Sequence, residues 1–200
     1  MPKLLLLILL FSTPLHAQQT KNLFLIIPDG LRWQEVFRGM DPTMLTKENK
    51  AEPAAPTREA FWFEGLQARR RALMPFLWTT VASEGQIYGN RDANAPARVT
   101  NPHHVSYPGY SEVICGFADP TITNNNKIPN PNISVFEFLH AKPAFAGKVA
   151  AFGTWDTYPF IFNSVRSGIL VDDGIAPLTR GTLTPAIETI NTLRKETPRR

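Results

Sequence analysis

The clearest signal in the chain is the spacing of its apolar residues. Leu23 to Ile27 (LFLII) is an apolar run without a polar break, ended by Pro28-Asp29-Gly30. Such runs suit a strand covered on both faces, as in the middle of a parallel sheet. Residues 41–58 carry prolines and polar residues, and predict an excursion over the surface. From Phe61 to Ala82 the period changes: Leu73, Phe76, Leu77, Thr80 and Val81 recur three and four apart, the spacing of a helix face. Pro75 divides that helix into two pieces, Gly85 stops it, and Gln86-Ile87-Tyr88 reads as a short strand.

Farther on, Val105-Ser106-Tyr107 reads as strand-like and Pro108-Gly109 as a sharp turn. Glu112 to Cys115 then begins a helix that Gly116 ends. Ser134 is placed to cap a helix containing Val135, Phe136, Phe138 and Leu139. Lys148 to Phe152 (KVAAF) reads as a second buried strand. Thr184 caps a final helix with Pro185 at its first position and Ile187, Ile190 and Leu193 on one face. Strand, helix and strand at this spacing predict an α/β protein, a mostly parallel central sheet flanked by helices. No strand follows the last helix, so the sheet is expected to be incomplete at the C-terminus.

The first seventeen residues stand apart from the fold. Lys3 supplies a positive charge, Leu4 to Phe11 an apolar core, and Ser12 to Ala17 a cleavage region. That core is far shorter than the roughly 20 residues that span a bilayer, so it predicts a secretory signal peptide over 1–17 and no lasting membrane span. The mature domain is expected over 22–200, secreted or periplasmic. Export permits disulfides, but Cys115 is the single cysteine, and it reads as a small buried hydrophobe.

Composition narrows the function classes. With 43% hydrophobic and 19% charged residues the chain is globular rather than disordered. A net charge of +4 from scattered basic residues, with Arg69-Arg70-Arg71 as a solvated helix face, gives no case for nucleic-acid binding.

Candidate chemistry concentrates at strand ends and helix starts. Asp29 follows the first predicted strand, where a carboxylate is a hard ligand for a divalent metal or the first residue of an Asx turn with Gly30. Ser111 precedes a short apolar run, where a serine either caps a helix or uses its N-terminus to stabilise an anionic oxygen. A metal at Asp29 would activate that hydroxyl as a nucleophile. Asp156 lies beyond the KVAAF strand, placed to hold a loop or contact substrate. His103 and His104 are adjacent, and neighbours in an extended chain point apart, which argues against one shared ion.

The segments "NLFLIIPDGLRWQEVF" and "SYPGYSEVICG" together resemble the alkaline phosphatase superfamily, in its phosphodiesterase, nucleotide pyrophosphatase and sulfatase-like branch. The resemblance runs from about Asn22 to Ser167. It implies Asp29 as a metal ligand, and Ser111 as nucleophile and metal ligand. It also implies an asparagine on the phosphate, with Asn125 the choice within Asn124-Asn125-Asn126. Two divalent ions, zinc by preference, and a small phosphorylated substrate follow from it. The implied activity is hydrolysis of phosphate esters through a phosphoseryl intermediate.

The departures are equally specific. The family's Asp-His pair occurs nowhere in the chain, and Asp119, His140, Asp156, Asp172 and Asp173 do not reproduce its pattern. The chain is therefore expected to be the N-terminal portion of a longer enzyme. Cys115 is followed by Gly-Phe-Ala, not the Cys-x-Pro-x-Arg of a sulfatase. Two alternatives stand beside the hydrolase: an exported α/β domain that binds without catalysis, and a serine esterase drawing Asp119 and His140 to Ser111.

Overall fold

The computed structural model describes residues 20–49, 51, 54–179 and 182–197. The predicted signal peptide lies outside them. Chain contacts divide the molecule into two units, Met1–Leu31 and Arg32–Arg200.

In the first unit, the predicted strand Leu23–Ile27 is not formed. The segment has no regular structure, and Phe24 and Ile26 are 83% and 82% exposed. A strand covered on both faces needs partners on both edges, and the described residues of this unit supply none. The turn that ends the run is as expected, with Gly30 at φ +73° after Asp29.

The second unit begins with helices α1 (Trp33–Arg38), α2 (Ala54–Phe61) and α3 (Leu66–Leu73). Met74 breaks the helix and Pro75 opens the next piece, as the pattern predicts. That piece passes through a π-helical stretch, Leu77–Val81, into the short α4 (Ala82–Glu84). A satellite core holds this part together. The Trp78 indole donates to the Val36 carbonyl at 2.9 Å, and its ring meets Phe37 edge-on at 5.9 Å. The α1 helix ends at Gly39, with φ +76° and the backbone of Arg69 and Arg70 against its Cα. The predicted strand Gln86–Tyr88 is absent; its residues lie in irregular chain.

The principal core gathers around α5 (Ser106–Cys115), α6 (Val135–His140), β1 (Ala150–Phe152), α7 (Tyr158–Ile161), α8 (Ser164–Ser167) and β2 (Leu170–Asp172). Tyr107, Tyr110, Ile114, Ile122, Ala151, Ile161, Phe162 and Ile169 are buried in it. Ile161 and Ile169 are fully enclosed, and each contributes about 2 kcal/mol of transfer free energy. The last helix, α9 (Pro185–Glu196), starts as expected, with Thr184 accepting from the Ile187 amide and Pro185 at its first position. Arg194 ties it to Asp172 of β2 at 2.8 Å.

The parallel character of the sheet is as predicted, since β1 and β2 pair parallel with Ala151 opposite Val171. Its extent is not: two strands are present among the described residues, amid many helices. The coarse class is thus mixed helix with a small parallel sheet.

Candidate active site

Helix α5 starts earlier than the pattern suggests. Pro108 and Gly109 form no turn of their own but lie within the helix, which opens at Ser106 after the extended Val105. The first four N–H groups of a helix have no intrahelical partner, so a proline at its third position costs no bond. Gly116 ends the helix as expected, at φ +84°.

This shift relocates Ser111. It occupies the sixth position of α5 and is 1% exposed. It is not a cap, and its hydroxyl does not sit at the free N–H groups. Its Oγ accepts instead from the Asn130 side-chain amide at 3.1 Å. Asn130 is wholly buried and donates to the Ile161 carbonyl at 3.2 Å as well. Cys115, one turn on, lies 3.8 Å from the same amide nitrogen. It is half-buried rather than enclosed, and burial pushes its thiol up.

The serine at the amino end of α5 is Ser106, which is half-buried. The adjoining Tyr107 amide receives no cap from Val105; Asn125 supplies it from a distant loop, its Oδ1 accepting at 2.8 Å. Asn125 is thereby brought to the helix start. Tyr107 itself is buried, donates its hydroxyl to the Ile128 carbonyl at 2.8 Å, and has its phenol pushed up to about 12 by desolvation.

On the other side, Glu112 ties the preceding loop to α5. Its carboxylate accepts from the amides of Thr100 and Asn101, from the Thr100 hydroxyl and from the Asn101 side chain. Desolvation raises this carboxyl, but the hydrogen bonds from Asn101 and Thr100 prevail and bring it down to about 2.

Asn130 is held in turn by Arg166. All five guanidinium N–H groups of Arg166 are engaged: two on the Glu137 carboxylate, the others on the carbonyls of Asn130, Pro131 and Asn132. The Asn130 carbonyl also accepts from the Asn163 side chain at 2.9 Å.

Asp156 pairs with Lys127 at 2.5 Å, both partly exposed, a contact that ties down the loop carrying Asn125. Asp29 lies in the first unit, whereas Ser111, Asn125 and Asp156 lie in the second. The His103 amide donates to the Asn101 side chain. The esterase relay is not assembled. Asp119 is occupied by Thr121 and Asn132, which hold its carboxyl low, and the buried Nδ1 of His140 has no hydrogen-bond partner.

For metal, a two-ion centre needs several carboxylate or imidazole ligands converging. Among the described residues no group of three or more His, Cys, Asp or Glu side chains is placed to hold an ion. The described donors do not assemble the ligand set that the implied pair of zinc ions needs. Among the described residues no helix is long and apolar enough to cross a membrane.

Sequence reasoning missed Ser106, Asn130 and Arg166. The signal for Ser106 was present in Ser-Tyr-Pro, since proline belongs in the first turn of a helix as readily as in a β-turn. No family model, curated protein or solved structure matches the chain.

Proposed function

We propose that the chain belongs to a hydrolase of phosphoric esters in which a serine hydroxyl at the start of α5 is the attacking group. In this reading the nucleophile is Ser106 rather than Ser111. A hydroxyl that is 1% exposed and held by a buried amide has no path to phosphorus. The observation that carries the reading is the bond from the Tyr107 amide, adjacent to Ser106 in the chain, to Asn125 Oδ1 at the start of α5. Fixing Asn125 Oδ1 on the Tyr107 amide leaves its NH₂ group as a donor beside Ser106.

The chemistry is two displacements. The Ser106 oxygen forms a bond to phosphorus as the bond from phosphorus to the ester oxygen breaks, and the proton lost by the serine hydroxyl leaves on the alcohol. Water then displaces the serine oxygen and restores the hydroxyl. The positive end of the ten-residue α5 favours the anionic group, and the Asn125 amide donates to a non-bridging oxygen. The resemblance in sequence implies two divalent ions and an exported protein. The donors described do not fit the ions, so no step is routed through them.

The test is hydrolysis of bis(p-nitrophenyl) phosphate by the whole chain and its Ser106→Ala and Ser111→Ala variants, with and without added zinc. Ser106→Ala is expected to abolish turnover while Ser111→Ala retains it in its folded fraction. Undiminished turnover by Ser106→Ala sinks the reading. Loss confined to a folded Ser111→Ala would restore the buried serine as the nucleophile.

A further inference from the structure

Arg166 is far from the start of α5 in sequence, yet its bonds lead there. Its guanidinium engages three successive carbonyls and the Glu137 carboxylate, leaving no N–H unused. That arrangement is more than an ion pair. Three carbonyls in a row form a cradle whose geometry a planar five-donor group matches and an ammonium does not. The first carbonyl of the cradle belongs to Asn130, which also bonds its amide N–H to the Phe160 carbonyl at 2.9 Å and its Oδ1 to the Asn132 amide at 3.0 Å. With its backbone and Oδ1 fixed, its Nδ2 has one direction left, toward Ser111 Oγ and the Ile161 carbonyl.

Ser111 lies in the buried stripe of α5 with Tyr107, Pro108, Tyr110 and Ile114, and its bond to Asn130 joins the Tyr107 hydroxyl's bond to the Ile128 carbonyl as a directed contact that seats the helix. Apolar packing tolerates small slides and rotations of a helix, whereas a directed bond at 3.1 Å does not. Ser106 lies five residues earlier on the same helix, about 7.5 Å along its axis. Whatever fixes Ser111 therefore fixes where the Ser106 hydroxyl is presented.

We propose that Arg166 is a positioning residue for the attacking serine: it orients Asn130, Asn130 holds Ser111, and Ser111 sets the seating of the helix that begins at Ser106. The inference rests on the reading of Ser106 as nucleophile. The cradle also has a reporter that does not depend on catalysis. Cys115 is the sole cysteine, half-buried beside Asn130 Nδ2, and it becomes more accessible if the cradle loosens.

The experiment compares the whole chain with Arg166→Ala and Arg166→Lys. It measures kcat and KM on bis(p-nitrophenyl) phosphate, and the reaction rate of Cys115 with a disulfide reagent. Expected for Arg166→Ala is a fall in kcat of about tenfold to a hundredfold, the scale of a misplaced reacting group, with KM changed by less than about threefold. The thiol rate should rise by about tenfold or more, and millimolar guanidinium should restore both. Arg166→Lys should behave as Arg166→Ala does, because charge alone does not fill the cradle. If Arg166→Ala fails to fold, Arg166→Lys carries the test. Wild-type kcat and thiol rate in a folded variant overturn the proposal, as does a loss that guanidinium leaves untouched. If the wild-type chain hydrolyses no phosphoester, the proposed function fails by itself, and the thiol rates with guanidinium rescue still decide whether the cradle holds α5.

Discussion

The side-chain amide of Asn130 donates to the hydroxyl of Ser111 at 3.1 Å, at a point where both residues are shut away from water. A buried donor and acceptor that satisfy one another contribute modestly when intact and cost more when one is removed. Asn130→Ala leaves Ser111 Oγ, the Ile161 carbonyl and the Asn132 amide without their partner. It is expected to lower stability by about 3 kcal/mol. Ser111→Ala leaves Asn130 its bond to Ile161, and is expected to cost about 1–2 kcal/mol. Urea unfolding followed by tryptophan fluorescence measures both, and Asn130→Ala should be the worse.

Asn125 separates capping from recognition. Asn125→Ala removes the acceptor for the Tyr107 amide and is expected to cost about 1 kcal/mol of stability. Asn125→Asp keeps an acceptor there, and its charge suits the helix start, so stability should hold. It replaces the NH₂ donor with a carboxylate that repels phosphate, so hydrolysis should fall. Thermal melts set beside turnover test this: an active Asn125→Asp would remove the amide from the proposed site.

The Glu112 carboxyl gives a pH dependence of definite sign. Its value falls from the ordinary 4.5 to about 2 in the folded chain, so the folded state favours the ionised form. The stability it contributes is fully present above 4.5 and fades as pH falls toward about 2. Glu112→Gln should be less stable than wild type at neutral pH, with the gap closing through that window. Urea midpoints at a series of pH values check it; a gap that widens on acidification would be the opposite sign.

Gly39 tests the satellite core. A Cβ there would lie 2.6 Å from the backbone of Arg69 and Arg70, and the residue's φ of +76° disfavours any side chain. Gly39→Ala should cost at least about 2 kcal/mol, since backbone on a packed helix cannot step aside. A loss is also expected for Gly153→Ala, where the obstacle is the side-chain ring of Tyr158 rather than backbone. The unfolding midpoint of each variant provides the measure.

The parts legible in the sequence were those whose cause is local. Ser134 and Thr184 cap helices because the bonded amide is three residues away, and Gly116 ends α5 because its φ is positive. The Lys148–Phe152 run does contain β1, shortened to Ala150–Phe152. What was misread depends on distant partners. Leu23–Ile27 has the composition of a buried strand but no strand partner among the described residues of its own unit. The pattern places Ser111 at a helix start because Pro108-Gly109 usually turns the chain, whereas α5 opens at Ser106. The cap α5 uses comes from Asn125, eighteen residues on, which no local pattern announces. Arg166 could be found only once its carbonyl partners were in place.

The borrowed cap on Tyr107 also orders events during synthesis. When the start of α5 leaves the ribosome its amino end is still open, because the residue that closes it has not yet emerged. At ordinary elongation rates Asn125 follows about one to four seconds later. For that interval the turn bearing Ser106 is free to fray, so the nascent chain carries the proposed attacking group on an unfinished helix until the loop arrives to seal it.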